Sequence, residues 1–258
     1  MDPLLIVVFV FGLVIGSFLN VCIYRLPRHE SIVWPASHCP ACAQPIAAYD
    51  NIPVVGFLWL GGRCRNCRRP IAWHYPLVEL ANGLGYLVIV WQFGWTPAAA
   101  VYAALFSSLI VITGTDLSHT IIPDVVTLPG ILIGLVSAVT ILPVGWINSL
   151  LGIVVGGGVL WVLAWLSPYL FGKEGMGGGD IKLLAMVGAF LGWRPVLLTM
   201  MIGALTGSIV GLSLIGLKIL RRDQYIPFGP FLALGALVSL FFHQRLFDWY
   251  WGLLGPLP

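Results

Sequence analysis

Residues 4–24 read LLIVVFVFGLVIGSFLNVCIY and contain no charged side chain. A helix needs about 20 mainly apolar residues to cross a bilayer, where it must satisfy its own backbone hydrogen bonds because no water is present. The stretch therefore predicts a membrane-spanning helix. A secretory signal peptide is the alternative, but Met1-Asp2-Pro3 supplies no basic leading region and the basic flank follows the apolar run. We expect the helix to be retained.

The remainder of the chain continues this apolar character. Hydrophobic residues make up 59% of the sequence and charged residues 9%, whereas a soluble domain carries about 25% charged residues. Further apolar spans are predicted at 77–93, 97–115, 125–142, 147–168, 182–193, 195–219 and 227–244. Gly203, Gly207 and Gly211 form a small-residue stripe that predicts close helix packing in lipid. The sequence thus predicts an all-α polytopic membrane protein with about eight transmembrane helices.

One long polar segment interrupts the spans and divides the chain into a first helix (1–24), a polar module (25–76) and a membrane-embedded remainder (77–258). Short loops rich in Lys and Arg stay on the cytoplasmic side, so the module is predicted to be cytoplasmic and the amino terminus external. The charged residues of the module are Arg25, Arg28, Arg63, Arg65, Arg68 and Arg69 against Glu30 and Asp50. Counting spans also puts the 116–124 and 169–181 loops and the cluster of Lys218, Arg221 and Arg222 inside. Omitting the short 182–193 span would reverse everything after it.

Two C-x-x-C units lie in the polar module, at Cys39-Pro-Ala-Cys42 and Cys64-Arg-Asn-Cys67. Their spacing is close to that of tetrahedral four-cysteine zinc sites. Two disulfides or a thiol redox motif are the alternatives, although a reducing cytoplasm disfavours stable disulfides. Four protein ligands leave no position for water, so the predicted zinc is structural, in a module too small to support much core alone. Cys22 is expected to be a small buried residue of the first span.

Acidic residues are costly in a membrane, so each one needs an explanation. Asp116 closes the third span, Asp124 opens the fourth, and Asp180 follows the run Gly175-Met176-Gly177-Gly178-Gly179. Two carboxylates on neighbouring helices can share a proton, as in an aspartic protease, where one deprotonates a water and the other polarises the scissile carbonyl. The glycines are expected to take unusual backbone angles and to let a substrate peptide approach closely.

Structural roles compete with these catalytic ones. Asp180 is equally well explained as a helix cap, and Asp124 after Pro123 is more typical of a capping or supporting carboxylate. Glu79, near the end of its span, is more typical of structural pairing than of ligand contact. The histidines occur with no nucleophile or zinc-protease motif, which argues against serine or metallo mechanisms. They are His29, His38, His74, His119 and His243. An ion- or proton-coupled transporter and a non-enzymatic zinc-anchored scaffold remain the rival classes.

Taken together, the motifs resemble those of the bacterial prepilin leader peptidases of type IV pilus, type II secretion and competence systems. The resemblance covers nearly the whole chain. It runs through Gly16-Ser17-Phe18-Leu19-Asn20-Val21, Arg25-Leu26-Pro27, the four cysteines, Tyr75-Pro76-Leu77-Val78-Glu79-Leu80, Asp116-Leu117, Ile122-Pro123-Asp124 and Gly177-Gly178-Gly179-Asp180-Ile181-Lys182. The glycine-Asp element alone would also suit presenilin-like and signal-peptide-peptidase-like proteases.

The resemblance implies an intramembrane-type aspartic endopeptidase of the bacterial inner membrane, with Asp116 and Asp180 as its catalytic pair. Substrate-binding or supporting roles would fall to Gly177, Gly178, Gly179, Asp124, Lys182 and Glu79. The implied substrates are type IV prepilins or pseudopilins, cleaved after a short basic leader at the cytoplasmic boundary; nucleic acid is not expected as a partner. Family members with the cysteine module also methylate the new amino terminus with S-adenosylmethionine. We expect both activities, although residues 25–75 contain no glycine-rich fingerprint that would locate the methyl donor.

Overall fold

The fold is helical throughout the part of the chain that the structure describes, which comprises residues 3–172, 177–219, 221 and 226–254 of a computed structural model. Its helices are α1 (Pro3–Arg25), α2 (Val55–Trp59), α3 (His74–Phe93), α4 (Pro97–His119), α5 (Asp124–Thr140), α6 (Trp146–Phe171), α7 (Gly178–Leu191), α8 (Trp193–Gly216) and α9 (Gly229–Leu254). Within these ranges the only β pairing consists of isolated bridges, at His38–Pro45 and Arg63–Pro70. The predicted all-α class is confirmed. Gly175, Met176 and Arg222 lie outside the described residues.

Each predicted span corresponds to a helix, but the boundaries differ. Six helices, namely α1, α3, α4, α6, α8 and α9, are long and apolar enough to cross a membrane. Helix α5 is apolar but has 17 residues, and α7 has 14. The prediction that α7 begins at residue 182 was wrong, because Gly178 to Asp180 form its first turn instead of a loop. The end predicted for the last span at residue 244 was also wrong, since α9 continues past Arg245 and Asp248 to Leu254.

The chain forms two compact units, residues 1–115 and 116–258. In the first, α1 and α3 pack antiparallel, because Gly12 approaches Gly83, Gly16 approaches Glu79, and Asn20 donates a 3.0 Å hydrogen bond to the carbonyl of Tyr75. A Cβ atom at Gly16 would lie 2.7 Å from the Cα of Glu79. Such contact between backbones requires glycine. The predicted functional division at residue 77 remains a prediction.

In the second unit, α7 is the central element. Helices α5, α6, α8 and α9 all pack against it, and every residue from Leu183 to Leu191 is buried. This enclosure explains how so short a helix is held. The predicted packing role of the glycine stripe is confirmed on α8, where a Cβ atom at Gly203 would lie 3.0 Å from Leu232 of α9 and one at Gly211 would lie 3.3 Å from Ile226.

Candidate active site and metal centre

Asp116 lies in the last turn of α4, with 3% of its surface exposed. Its Oδ2 accepts a 2.8 Å hydrogen bond from the backbone N–H of Gly229. Gly229 is the first residue of α9, and the first N–H groups of a helix have no partner within that helix. The carboxylate of Asp116 therefore satisfies the start of α9 and is itself held in one position.

Asp180 lies in the first turn of α7 and is equally buried. Its carboxylate accepts a backbone hydrogen bond from Gly177, the N-cap residue, while its own N–H donates to the carbonyl of Gly177 at 3.2 Å. Asp180 is the third residue of α7 and not its N-cap, and Gly177 has no side chain, so only the half of a capping box that an acidic third residue supplies is present. The charge of Asp116 also acts on the Asp180 carboxyl group. Both predicted aspartates are buried in the second unit, and Ile122 lies against Gly179, beside Asp180, and against Gly229, the partner of Asp116.

The glycines before Asp180 do not behave as expected. The prediction of unusual backbone angles was wrong: Gly177 is extended with φ −75° and ψ 144°, and Gly178 and Gly179 are helical. What Gly179 requires is space, since a Cβ atom there would lie 2.8 Å from the Cβ of Ile122. At Gly178, by contrast, a Cβ atom would meet no atom within 4 Å. That open space beside Asp180 leaves the expected close approach of a substrate peptide possible.

Gly229 is a site residue that the sequence reasoning missed. A Cβ atom at this position would lie 2.7 Å from Oδ2 of Asp116 and 3.3 Å from Ile122, so the Asp116 carboxylate and a side chain at 229 cannot coexist in this arrangement. The available signal was the Gly229-Pro230 pair at the start of the last span. Gly and Pro mark a helix boundary, but they do not indicate that the N–H of Gly229 bonds to Asp116.

The carboxylate of Asp124 pairs with Lys182. Its predicted role as a cap was wrong, because Pro123 is the N-cap residue, α5 has no side-chain capping bond, and Asp124 is the first helical residue. Both oxygens of Asp124 instead accept hydrogen bonds from Lys182 Nζ at 2.7 Å. Asp124 is the first residue of α5, and Lys182 lies in α7 two residues beyond Asp180. The pair therefore joins the beginnings of these two helices. Its supporting role stays a prediction.

Glu79 is buried in α3 of the first unit. Its Oε2 accepts a 2.7 Å hydrogen bond from the backbone N–H of Val54, and Ser17 also contributes a hydrogen bond. Val54 has φ +63°, an uncommon conformation for a β-branched residue. Glu79 therefore makes a structural pairing, as expected, but with the backbone of the polar module and not with a neighbouring arginine.

The four cysteines of the module converge. Their Sγ atoms all lie within 4.8 Å of one another, and Cys39 and Cys67 are 3.9 Å apart. Tetrahedral zinc with Zn–S bonds of about 2.3 Å requires sulfurs about 3.8 Å apart. All four thiols are free of disulfides. The donor set therefore fits a closed structural zinc site formed by Cys39, Cys42, Cys64 and Cys67.

The two cysteine turns repeat one backbone conformation. A left-handed residue follows the second cysteine of each pair, Ala43 with φ 56° and Arg68 with φ 60°. Its N–H donates to the carbonyl of the first cysteine, at 2.8 Å to Cys39 and 3.0 Å to Cys64. In the second turn, backbone N–H groups of Cys67 and Asn66 lower the pKa of the Cys64 thiol to about 6, which favours the metal-binding thiolate.

An ion pair braces the module next to the second cysteine turn. Arg65 donates two 2.6 Å hydrogen bonds to the Asp50 carboxylate, which lowers the pKa of Asp50. The pair joins the short 3-10 turn Ala48–Asn51 to the loop that holds Cys64 and Cys67. The bidentate geometry fixes both segments more firmly than a single contact would.

The fold and these two sites define a multi-pass membrane protein that carries a cysteine module and a buried acid pair. Comparison with known protein families identifies the family to which this membrane protein belongs. Residues 10–93 match the Bacterial Peptidase A24 N-terminal domain, and residues 103–212 match the Type IV leader peptidase family. The chain belongs to the type IV prepilin leader peptidase family, as its motifs predicted. It is an enzyme of the inner membrane, a peptidase that is also a methyltransferase.

Curated relatives match over almost their whole length. The prepilin leader peptidase/N-methyltransferase of Aeromonas salmonicida (strain A449) is 38% identical over 274 residues, covering 94% of this chain and 92% of the relative. The protein of the same name from Pseudomonas aeruginosa is 36% identical over 258 residues, covering 91% and 89%. No solved structure matches the chain. Membership in this family does not favour the transporter or scaffold alternatives.

Proposed function

We propose that this protein removes the basic leader from type IV prepilins and pseudopilins with Asp116 and Asp180, and then N-methylates the new amino terminus. The observation that carries the proposal is the burial of both carboxylates in one site, at the last turn of α4 and the first turn of α7. Two buried carboxyl groups are costly to keep for structure alone. Family membership supports the same reaction.

In the proposed reaction one carboxylate takes a proton from a water molecule, and the oxygen of that water bonds to the scissile carbonyl carbon. The protonated partner gives its proton to the carbonyl oxygen, which yields a neutral tetrahedral diol. The carboxyl group that took the proton from water then gives it to the peptide nitrogen while its partner carboxylate takes a proton from a diol hydroxyl. The C–N bond breaks, a carboxylic acid and a free amine are released, and the starting protonation of the pair is restored. The N–H groups of Gly229 and Gly177 hold the two carboxylates in position throughout.

The positive-inside distribution supports an orientation for this site. With the module in the cytoplasm and the amino terminus outside, both aspartates lie at the cytoplasmic boundary. A basic leader would remain in the cytoplasm while the apolar helix of the substrate enters the membrane. The cut then falls where the aspartates lie.

For the methyl-transfer step, the methyl donor is S-adenosylmethionine and the acceptor is the amine that cleavage releases. The cysteine module would contribute by holding one zinc ion on Cys39, Cys42, Cys64 and Cys67. A closed four-thiolate site supplies folding free energy and no catalytic position. The names of the relatives support methylation as the second activity.

Incubation of the purified protein with a synthetic prepilin tests the proposal. Asp116→Asn and Asp180→Asn should each lower the cleavage rate by about 10²–10⁴-fold, because each removes one proton-transfer group. Asp248→Asn is the matched control, since Asp248 is exposed on α9, and it should cleave normally. Cleavage at the wild-type rate by either of the first two variants would overturn the catalytic assignment.

A further inference from the structure

An apolar stretch lies inside the otherwise polar module. Residues 51–62, read NIPVVGFLWLGG, contain no charged side chain, although basic residues follow directly. Helix α2 occupies the centre of this stretch, and its residues Leu58 and Trp59 are 67% and 80% exposed. Val55, at its start, is half exposed. A module of this size rarely leaves contiguous apolar side chains uncovered unless they contact a partner.

The position of this stretch relative to α3 is fixed by the hydrogen bond between Val54 and Glu79. Glu79 follows His74, the first residue of the membrane-spanning α3, by five residues, which is about 7.5 Å along the helix axis. The bond of 2.7 Å holds Val54 beside the Glu79 carboxylate, which a helical side chain directs back toward the start of α3. The interfacial layer on each side of a bilayer is roughly 5–8 Å thick. With His74 as the water-facing edge of the span, the start of α2 falls within this layer.

The ends of the module lead to the same surface. Because α1 and α3 are antiparallel, Arg25 at the end of α1 and His74 at the start of α3 emerge together. Trp73, immediately before α3, is 77% exposed. Tryptophan is enriched where a bilayer meets water, since its ring is apolar and its N–H remains hydrogen-bonded. The module cannot leave the surface to which both its ends are attached.

The charge of the module identifies the chemistry of that surface. Exposed arginines follow the apolar stretch directly along the chain, and Asp50, one of the two acidic residues of the module, is paired with Arg65. Within the described part of the module, the exposed arginines that form no ion pair are Arg28, Arg63, Arg68 and Arg69. A net positive module with apolar and tryptophan side chains beside it complements an anionic lipid headgroup layer.

We propose that residues 52–59 form an interfacial segment, which inserts Leu58 and Trp59 into the headgroup region of an anionic leaflet and holds the cysteine module against the bilayer. The partner is phospholipid, not a second protein. The module is already attached to the membrane at the end of α1 and at the start of α3, and this segment adds a third attachment between them. It thereby fixes the height of the cysteine module above the membrane.

Photo-crosslinking tests this segment in the full chain. The photoreactive residue p-benzoylphenylalanine replaces Trp59 in one variant and Asn66, an exposed polar residue of the second cysteine turn, in the control. Both proteins are reconstituted in vesicles of phosphatidylethanolamine and phosphatidylglycerol and irradiated. Mass spectrometry then measures the yield of protein that carries the added mass of a phospholipid. We expect a phospholipid adduct at position 59, at several times the yield at position 66. Both variants should melt like the unlabelled protein.

Two outcomes overturn the proposal. If the probe at 59 forms no phospholipid adduct, or only protein cross-links, the segment faces protein and not lipid. If positions 59 and 66 give equal adduct yields, Trp59 lies no closer to lipid than the exposed cysteine turn, and the segment is not inserted in the headgroup region. Vesicles of phosphatidylcholine alone should lower the yield at 59, and an unchanged yield there would contradict the anionic preference.

Discussion

The backbone N–H of Gly229 and the Oδ2 of Asp116 are joined by a 2.8 Å hydrogen bond between residues 113 positions apart. The same oxygen lies 2.7 Å from the place where a Cβ atom on residue 229 would be. The bond therefore depends on a residue without a side chain. It also couples the position of a proposed catalytic carboxylate to the start of α9, so substitutions there should affect cleavage.

Gly229→Ala should lower prepilin cleavage by about 10²-fold, because a displacement of about 1 Å in a catalytic group has effects of that size. The added methyl group forces Asp116 to move and weakens its hydrogen bond. Steady-state cleavage of a synthetic prepilin measures the effect. Gly252→Ala is the matched control on the same helix, since a Cβ atom there meets no atom within 4 Å. Equal rates for the two variants would show that the Asp116 carboxylate does not need this position.

Gly179→Ala and Gly178→Ala should separate packing from substrate approach. At Gly179 the new methyl group meets Ile122 at 2.8 Å, and such overpacking costs about 1–3 kcal/mol of stability. We expect a lower melting temperature and slower cleavage. At Gly178 the space is open, so stability should not change, and a raised KM would report contact with the substrate peptide. Unchanged stability for Gly179→Ala would contradict the packing role.

The ion pair between Asp124 and Lys182 should contribute little to stability but should act as one unit. Both side chains are partly exposed, and pairs of this kind contribute about 0.2–1 kcal/mol. We expect Asp124→Asn and Lys182→Met to lower cleavage severalfold, since each loosens the first turn of α7 next to Asp180. The double variant should be no worse than either single one. Additive effects in this double-mutant cycle would mean that the two residues act separately.

How far the sequence predicts this molecule depends on whether a signal is local. Span positions follow from apolar length, and the zinc ligands follow from Cys39, Cys42 and their repeat, because each pattern is complete within a few residues. The partner of Asp116 is not local. The need for glycine at 229 is set by the hydrogen bond between Asp116 and the start of α9, and a single sequence holds no record of that contact. Only the Gly-Pro pair at 229–230 marks the position, as a helix start.

The acids illustrate the same limit. Their scarcity in apolar sequence was sufficient to nominate Asp116, Asp124 and Asp180. It did not distinguish a cap from an ion pair, because Asp124 satisfies the local pattern of a cap while its carboxylate bonds to Lys182, 58 residues away. Likewise the glycines before Asp180 suggested a loop, since Gly disfavours helix, but burial of α7 among its neighbours offsets that preference and extends the helix to Gly178.

Glu79→Ala should lower the free energy of unfolding by about 1 kcal/mol, because it leaves the partly buried N–H of Val54 without its acceptor. Glu79→Gln retains an oxygen at the same position and should lose much less. Amide hydrogen exchange at Val54 measures the bond directly, and it should be faster in the Ala variant than in the Gln variant. Equal exchange in both would show that Glu79 does not hold Val54.

Removal of zinc should unfold the cysteine module while the membrane helices remain. We expect about one zinc per chain by elemental analysis. Cys42→Ser should lose the metal, because three thiolates and a hydroxyl bind zinc far more weakly than four thiolates. Cys22→Ala is the control, since Cys22 is buried in α1 and outside the four-cysteine cluster, and it should keep its zinc.

Methyl transfer gives this metal prediction a functional readout. A labelled methyl donor should deliver label to the mature amino terminus with the wild-type protein and with Cys22→Ala, but not with Cys42→Ser, because a zinc-dependent module loses its fold with the metal. Far-ultraviolet circular dichroism should show that the helices persist, as their backbone bonds do not depend on the module. A metal-free protein with an intact module and full methyl transfer would contradict a structural zinc site.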